Sequence, residues 1–203
     1  MRINLKKNEV APISGSNTGL GFIIGLQWED PRRAADLDLE VFLLGRDGKI
    51  TCEDDLVFYG TPADANGMLP HPSGGVIHHG DRRDGFDEGD DELIDVYFNK
   101  IPANIYKMAV TVTIADKSRR ATFGGISNTV VHIYKMDNIG GETVPGDEVI
   151  RYELSDDFPN ENAIIFGEIL RDGPGWKFAA EGVGVNGGLA SLCRFFGFDD
   201  VEE

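Results

Sequence analysis

The chain has 203 residues, of which 41% are apolar and 27% charged, so it fits one globular domain with a hydrophobic core and not a wholly disordered protein. Its formal net charge is −16 at pH 7, which argues against nucleic acid and anionic membranes as direct partners. The same charge suits a protein that binds cations, because crowded carboxylates need positive charge to offset their repulsion.

The N-terminal residues, the lack of a long apolar run and the two cysteines indicate the cellular compartment. The first seven residues lack the apolar stretch of a signal peptide, and no apolar run approaches the roughly 20 residues that cross a bilayer. Cys52 and Cys193 are too few for a disulfide framework, and we expect two reduced, mostly buried thiols. We therefore expect a cytoplasmic protein with one domain, residues 1–203, whose acidic tail (199–203) is frayed and which does not insert into a membrane.

Short apolar runs separated by glycine predict many strands joined by turns. The clearest are residues 92–99 and 108–114, where apolar and polar residues alternate as in a half-buried strand. In chain order, the predicted strands are residues 21–28, 37–44, 56–59, 76–78, 92–99, 108–114, 129–135, 149–154, 163–171 and 176–180.

Turns and helices are fewer. Asp47-Gly48 predicts a hairpin turn, residues 101–105 predict one helical turn, and residues 137–148 predict a mobile loop. Apolar residues from Leu189 to Phe196 recur at helical spacing, with Asn186 as a candidate N-cap and Gly197 at the C-terminal cap. Since two apolar sheet faces can bury each other, the pattern predicts an all-β, two-sheet β-sandwich with one or two short helices, including a C-terminal helix.

The acidic run that ends at residue 92 lies directly before a strong predicted strand. It holds seven carboxylates and two arginines, and two minus seven gives a local charge of −5. Gly85 and Gly89 allow left-handed turns that bring carboxylates to one centre. Oxygen ligands favour calcium or magnesium over zinc, and a cage of roughly six to eight protein oxygens favours calcium. The candidate metal ligands are Asp81, Asp84, Asp87, Glu88, Asp90, Asp91 and Glu92.

Two other interpretations of this run compete with a metal site. A solvated acidic loop is the first. An EF-hand is the second, but Arg83, Gly85 and Phe86 stand where that motif needs two acids and a glycine, and a strand follows instead of a helix.

Asp36, Asp38 and Glu40 share one face of the predicted strand 37–44, and the apolar residues 37, 39 and 41 face the opposite way. Three carboxylates on one face repel each other unless the face is wet or holds a cation. Beside a calcium-binding loop, Asp36 and Asp38 become candidate metal ligands as well.

Zinc and triad chemistry receive less support. His78 and His79 are adjacent and would point to opposite faces of a strand, so they do not form one tetrahedral site with His71. Serine, histidine and aspartate are available, but no nucleophile-elbow sequence predicts a catalytic triad.

The residues, taken in order, resemble the TerD family of tellurium-resistance and stress proteins along nearly the whole chain. Departures include Arg82-Arg83-Asp84 after Gly80-Asp81, and Ala115 where the family usually has histidine. The matching pieces are Gly25-Leu26-Gln27-Trp28, Asp36-Leu37-Asp38, residues 41–45, Asp47-Gly48-Lys49, residues 55–59, 80–92 and 110–114, Phe123-Gly124, Ser127-Asn128, residues 151–155 and 165–168, Trp176-Lys177-Phe178 and Gly187-Gly188-Leu189-Ala190.

The resemblance implies a β-sandwich that binds two calcium ions between the Asp36/Asp38 strand and the acidic loop. Asp36 and Asp38 match the family's Asp-x-Asp, and Asp81, Asp90, Asp91 and Glu92 match its loop. It also implies a role in tellurite resistance or stress, with other Ter-type or stress-complex proteins as partners.

Three functions follow as hypotheses. The first is a non-enzymatic, calcium-binding module or scaffold. The second is a hydrolase that uses the same acids to hold magnesium or manganese and activate water. The third is chemistry on tellurium oxyanions through Cys52 or Cys193, which their separation in sequence does not favour.

Overall fold

The computed structural model describes residues 2–13, 21–29, 36–80, 89–115, 121–154 and 158–198. These residues contain thirteen strands and one α-helix. The strands are β1 (Ile3–Leu5), β2 (Val10–Pro12), β3 (Gly21–Glu29), β4 (Leu37–Leu44), β5 (Leu56–Val57), β6 (Leu69–Pro70), β7 (Val76–His78), β8 (Glu92–Tyr97), β9 (Lys107–Ile114), β10 (Ser127–Ile139), β11 (Glu142–Glu153), β12 (Ala163–Asp172) and β13 (Gly175–Val185), and the helix is α1 (Gly188–Phe195).

The strands form two sheets, which confirms the predicted all-β sandwich. The first sheet has the order β1-β11-β10-β3-β8-β7-β6, and the second has the order β2-β13-β12-β9-β4-β5. Neighbouring strands are antiparallel except β1, which runs parallel to β11. The order places β4 beside the end of the second sheet and β8 in the interior of the first.

One continuous hydrophobic core lies between the sheets. Alternate residues of the central strands point into it, including Ile24 and Leu26 of β3, Ile94 of β8 and Val112 of β9. All four side chains are fully buried. This alternation is the pattern predicted for 92–99 and 108–114, because successive side chains of a strand point to opposite faces.

The outer face of the second sheet is covered as well. Helix α1 packs there, and the rings of Phe42 and Phe196 lie 4.6 Å apart between centroids. Leu192 and Cys193 complete the helix side of this smaller apolar cluster. Strand β4 is therefore buried on both faces, although half of its face toward α1 is acidic.

The longest predicted loop is a hairpin. The sequence predicts a mobile loop over residues 137–148, but β10 and β11 pair as far as their tip, with two register shifts between Ile133 and Met136, and Ile139 lies opposite Glu142. Gly140 and Gly141 have φ angles of 66° and 97°, the left-handed values that a two-residue hairpin turn requires. The Gly-Gly pair is the signal that the sequence interpretation missed.

Two helix predictions also need correction. Residues 101–105 form a single hydrogen-bonded turn, closed by the Ile105 amide and the Pro102 carbonyl, and not a helix. Arg171 donates to the carbonyls of Ile101, Pro102 and Ile105. The N-cap of α1 is Gly187 and not Asn186. The side-chain oxygen of Asn162 accepts hydrogen bonds from the Gly187 and Gly188 amides, both 3.0 Å long, and so satisfies that end of the helix.

Smaller details concern one turn, the end of α1 and the two cysteines. The Asp47-Gly48 turn forms, but a short 3-10 helix follows it before β5, so it is not a two-residue hairpin. Gly197 has the left-handed φ of 92° predicted for the end of α1. Both cysteines are free, and Cys52 is exposed whereas Cys193 is buried. The predicted fraying of residues 199–203 lies outside the described residues.

Within the described ranges, no helix is both long and apolar enough to cross a bilayer.

Candidate metal centre

Strand β4 carries acids on the face that points away from the interior. Leu37 and Leu39 belong to the core between the sheets, so Asp38 and Glu40 lie on the outer face by alternation. Asp38 is 4% exposed and Glu40 is completely buried. The predicted alternation is confirmed, but the acidic face is buried and not wet. Asp36, just before β4, is half-buried, and its carbonyl accepts a hydrogen bond from the Ala115 amide.

Glu40 is held by two threonines of the neighbouring strand β9. The hydroxyl of Thr111 donates to Glu40 Oε2 at 2.7 Å, and that of Thr113 donates to Oε1 at 2.5 Å. Burial raises the pKa of Glu40 well above its usual value, and the nearby charges of Asp38 and Glu92 raise it further against the lowering effect of the two hydroxyls. Asp38, Glu40 and Glu92 therefore interact electrostatically. The alternating threonines of 108–114 were the available signal for this contact.

Glu92 connects the two sheets. It begins β8 opposite Leu26, whose side chain is in the core, so Glu92 points inward. Its Oε2 accepts a hydrogen bond of 2.6 Å from the Leu39 amide on β4 and lies 3.7 Å from His78 Nε2. The Gly80 amide donates to His78 Nδ1, so a neutral His78 carries its proton on Nε2, facing Glu92. The Glu92 carboxylate thus lies beside the backbone between Asp38 and Glu40.

Asp90 and Asp91 extend the acidic group at the start of β8. Asp91 is 3% exposed, and its amide donates to the Leu26 carbonyl at 2.8 Å. The carboxylate of Asp90 lies over Gly25 of β3, where an added Cβ would be 2.1 Å from Asp90 Oδ2. Only glycine accommodates this approach. Ile24 and Leu26, on either side of Gly25, point into the core, so Gly25 faces the outside of the first sheet. Asp90 lies over Gly25 and is therefore on that outer face.

A polar network holds Asp90 on that outer face. Its Oδ1 lies 2.8 Å from His132 Nδ1, and His132 also contacts the hydroxyl of Tyr134. Arg151 can only donate, and its hydrogen bond of 2.9 Å reaches His132 Nε2, so the His132 proton is on Nδ1, which is hydrogen-bonded to the Tyr134 hydroxyl. Burial, Asp90 and Glu148 raise the pKa of Tyr134, which keeps its hydroxyl protonated.

Each of the four histidines of the chain pairs with a different carboxylate. His71 lies 3.4 Å from Asp55, His78 lies 3.7 Å from Glu92, His79 lies 2.9 Å from Asp95, and His132 lies 2.8 Å from Asp90. As the alternation predicts, His78 and His79 point to opposite faces of the first sheet. The histidines are thus dispersed among four separate contacts.

The structure places five of the nine predicted metal ligands. Asp38, Asp91 and Glu92 are buried, Asp38 on the outer face of the second sheet and Glu92 between the two sheets. Asp36 precedes β4, and Asp90 lies on the outer face of the first sheet. Asp81, Asp84, Asp87 and Glu88 lie outside the described residues. Within the described part of the chain, no group of three or more His, Cys, Asp or Glu side chains is arranged to hold a metal ion.

The chemistry of the described donors fits a hard cation. Asp38, Asp91 and Glu92 offer carboxylate oxygens, are each at most 4% exposed, and come from two sheets that the Glu92–Leu39 hydrogen bond joins. Carboxylates in such a setting repel one another: burial raises the pKa of Glu40 most, and the charges of Asp38 and Glu92 raise it further. An ion with oxygen ligands offsets this repulsion, and calcium accepts the larger and less regular set of oxygens.

Comparison with known proteins identifies relatives along almost the full length. Residues 1–196 match the TerD domain. The chain is 41% identical to the uncharacterized protein YceE of Bacillus subtilis (strain 168) and 38% identical to general stress protein 16U of the same organism, with 97% of this chain and 98% of each relative covered. It is 34% identical to the tellurium resistance protein TerD of Alcaligenes sp, covering 98% of this chain and 99% of that protein.

A solved structure shares the fold. A crystal structure of a homologue of telluride resistance protein (TerD) from Streptomyces coelicolor A3(2) superimposes with a TM-score of 0.64 and covers 86% of this chain and 94% of its own. Its sequence identity is 18%, so the likeness concerns the fold alone.

Proposed function

The chain belongs to the TerD domain family, and we propose that it acts in tellurium resistance or the stress response as a calcium-binding module and not as an enzyme. The names of its relatives support the cellular role, since they include tellurium resistance protein TerD and general stress protein 16U. The buried carboxylates of Asp38, Asp91 and Glu92 support the calcium site.

One observation carries the calcium proposal. The Glu92 carboxylate of one sheet lies against the Asp38–Glu40 backbone of the other. Burial raises the pKa of Glu40, and the charges of Asp38 and Glu92 raise it further. A divalent cation would offset these charges where the two sheets meet. We propose that Asp36, Asp38, Asp91 and Glu92, with acids of residues 81–88, hold two calcium ions, and that Asp90 is the ligand positioned by His132.

Calcium supplies no acid, base or electrons in this role. It would fix the acidic segment to β4 and order one end of the sandwich, and the ordered surface would be recognised by another protein of the same resistance or stress system. The buried hydrogen bonds of Glu40 and Glu92 would keep the β4 side of the site in place before the ion binds.

Calorimetry tests the proposal directly. Chelator-treated protein is titrated with calcium chloride and, separately, with magnesium chloride. We expect saturable calcium binding, weaker magnesium binding, and loss of affinity in Asp38→Asn. Asp172→Asn is the matched control, because Asp172 lies at the exposed turn before β13 with a side chain that is 59% exposed. Absence of calcium binding, or equal losses in the two variants, would contradict the proposal.

The hydrolase alternative has its own assay. The protein is incubated with phosphoesters and magnesium, manganese or calcium in turn. We expect no turnover. Turnover that Asp90→Ala abolishes would favour a metal-dependent hydrolase instead.

A further inference from the structure

The turn between β6 and β7 holds a second group of polar side chains, separate from the acidic centre. His71 begins this turn, with its amide bonded to the Val76 carbonyl at 2.8 Å and its carbonyl accepting from the Gly74 amide at 2.7 Å. Its ring is buried, and Ser73, two residues on, is exposed at the tip. The turn therefore presents a serine to solvent directly above a buried imidazole.

Asp55 lies beneath that imidazole. Its Oδ1 is 3.4 Å from His71 Nε2, and its Oδ2 accepts from the amide and hydroxyl of Thr51 at 2.7 and 2.6 Å and from the Cys52 amide at 3.2 Å. Burial raises the pKa of Asp55, but the hydrogen bonds from His71, Thr51 and Cys52 outweigh it and leave the pKa lowered. Asp55 is thus a fixed, ionised carboxylate.

The hydrogen bonds determine which ring nitrogen of His71 carries the proton. The backbone amide of Ser73 can only donate, and it lies 3.0 Å from His71 Nδ1. Nδ1 is therefore the acceptor, and Nε2 carries the proton toward Asp55. Ser73 Oγ is 2.8 Å from the same Nδ1 and itself accepts from the Gly75 amide at 3.0 Å. The hydroxyl proton of Ser73 is free to point at Nδ1.

We propose that Ser73 is a nucleophilic serine, activated by His71 and Asp55, that becomes acylated by activated acyl esters. The arrangement is that of a Ser-His-Asp triad with the roles of the two ring nitrogens exchanged. Ser73 Oγ attacks the carbonyl carbon of an aryl ester while its proton passes to His71 Nδ1. The C–O bond to the leaving group breaks, the phenol departs with that proton, and Ser73 keeps the acyl group as an ester.

The same turn favours a lasting adduct over rapid turnover. Hydrolases stabilise the oxyanion with free backbone amides. Here the amides of Ser73, Gly74 and Gly75 are each already bonded, to His71 Nδ1, the His71 carbonyl and Ser73 Oγ. Ser73 is therefore a covalent modification site and not the centre of a fast esterase, so the inference goes beyond the proposed calcium-binding role and does not depend on it.

The test is acetylation of the full-length protein by p-nitrophenyl acetate, followed by intact mass and peptide mapping. We expect one acetyl group on Ser73, absent in Ser73→Ala and unchanged in Ser127→Ala, a matched control because Ser127 is also exposed. We expect His71→Asn to slow acetylation about 100-fold, the scale of general-base catalysis. Acetylation confined to lysines, or Ser73 no more reactive than Ser127, would overturn the proposal.

Asp55 acts through His71 and so is a positioning residue, with its own readout. We expect Asp55→Asn to slow Ser73 acetylation, because the positive charge formed on His71 loses its neighbouring carboxylate, and the conservative Asp55→Glu to restore part of the rate. An unchanged rate in folded Asp55→Asn would refute the role of Asp55. The wild-type, Ser73→Ala and Ser127→Ala comparison decides the role of Ser73 even where a buried variant fails to fold.

Discussion

The carboxylate of Glu92 accepts a hydrogen bond from the backbone amide of Leu39, 2.6 Å away, although the two residues belong to different sheets. β5 pairs with β4 only at Val41 and Phe42, so Leu39 lies beyond the end of that pairing. Glu92 supplies the acceptor that a neighbouring strand would otherwise provide. One side chain therefore serves both the closure of the sandwich and the acidic centre.

Replacing Glu92 separates these two roles. In chelator, Glu92→Ala leaves a buried amide without its acceptor, and we expect a loss of about 1–3 kcal/mol in the free energy of unfolding. Glu92→Gln keeps an acceptor oxygen and should lose less. Both variants should gain less stability from calcium than the wild type, measured by urea denaturation with and without the ion. Equal stability of Glu92→Ala and the wild type in chelator would refute the structural role.

Gly25 and Asp90 should be energetically coupled. A methyl group at residue 25 would meet Asp90 Oδ2 at 2.1 Å, so Gly25→Ala must displace the carboxylate from His132. We expect a cost of about 1–3 kcal/mol, as for overpacking elsewhere. The control is the same substitution in an Asp90→Ala background, where denaturation should show a clearly smaller loss. Additive effects would mean that the two residues do not interact.

Helix α1 provides a matched pair of phenylalanines. Phe196 is 2% exposed and packs on Phe42, whereas Phe195 is 57% exposed. Phe196→Ala should cost about 3–5 kcal/mol of unfolding free energy, because it opens a cavity beneath the helix. Phe195→Ala should cost less than about 1 kcal/mol, since it removes a surface ring and its contact with Lys49. Thermal denaturation of the two variants measures both losses in stability. Similar losses would show that Phe196 is not buried against Phe42 in solution.

The two thiols should react at different rates. Burial, with a smaller effect of the negative charge of Glu40, raises the pKa of Cys193 to about 11, which leaves little thiolate at neutral pH. Cys52 is exposed. Iodoacetamide at pH 8 should label Cys52 in the native protein and Cys193 only after unfolding. Mass spectrometry of iodoacetamide-treated Cys52→Ser, in which Cys193 is the remaining cysteine, checks this prediction. Rapid labelling of that variant in its native state would contradict it.

Local patterns predicted most of the fold. The predicted strand 37–44 and the predicted strand 76–78 have the observed bounds, because alternation and β-branched residues mark them within a few residues of sequence. The inner parts of β10 and β11 were predicted as strands 129–135 and 149–154, but the outer part of their hairpin was missed, since it is polar and exposed and gives no core-facing alternation. The N-terminal cap of α1 comes from Asn162, 26 residues before Gly188, and no local pattern indicates it.

The candidate site was predictable only as a set of residue types. The sequence identified the acids of β4 and of the segment before β8, but not that Glu92 faces inward to Leu39 whereas Asp90 lies across the first sheet beside His132. Those positions depend on which strands become neighbours. The Asp55–His71–Ser73 group was missed for the same reason, because Asp55 and His71 come together only when β5 and β7 approach.

The most direct test of the account is the calcium dependence of thermal unfolding in chelator-treated, full-length protein. Binding at a hundredfold over the dissociation constant stabilises a folded protein by roughly 2.7 kcal/mol for each independent site. We predict a clear rise in the melting temperature of the wild type with calcium and a much smaller rise in Asp91→Asn. A wild-type melting temperature that stays constant up to millimolar calcium would contradict the account.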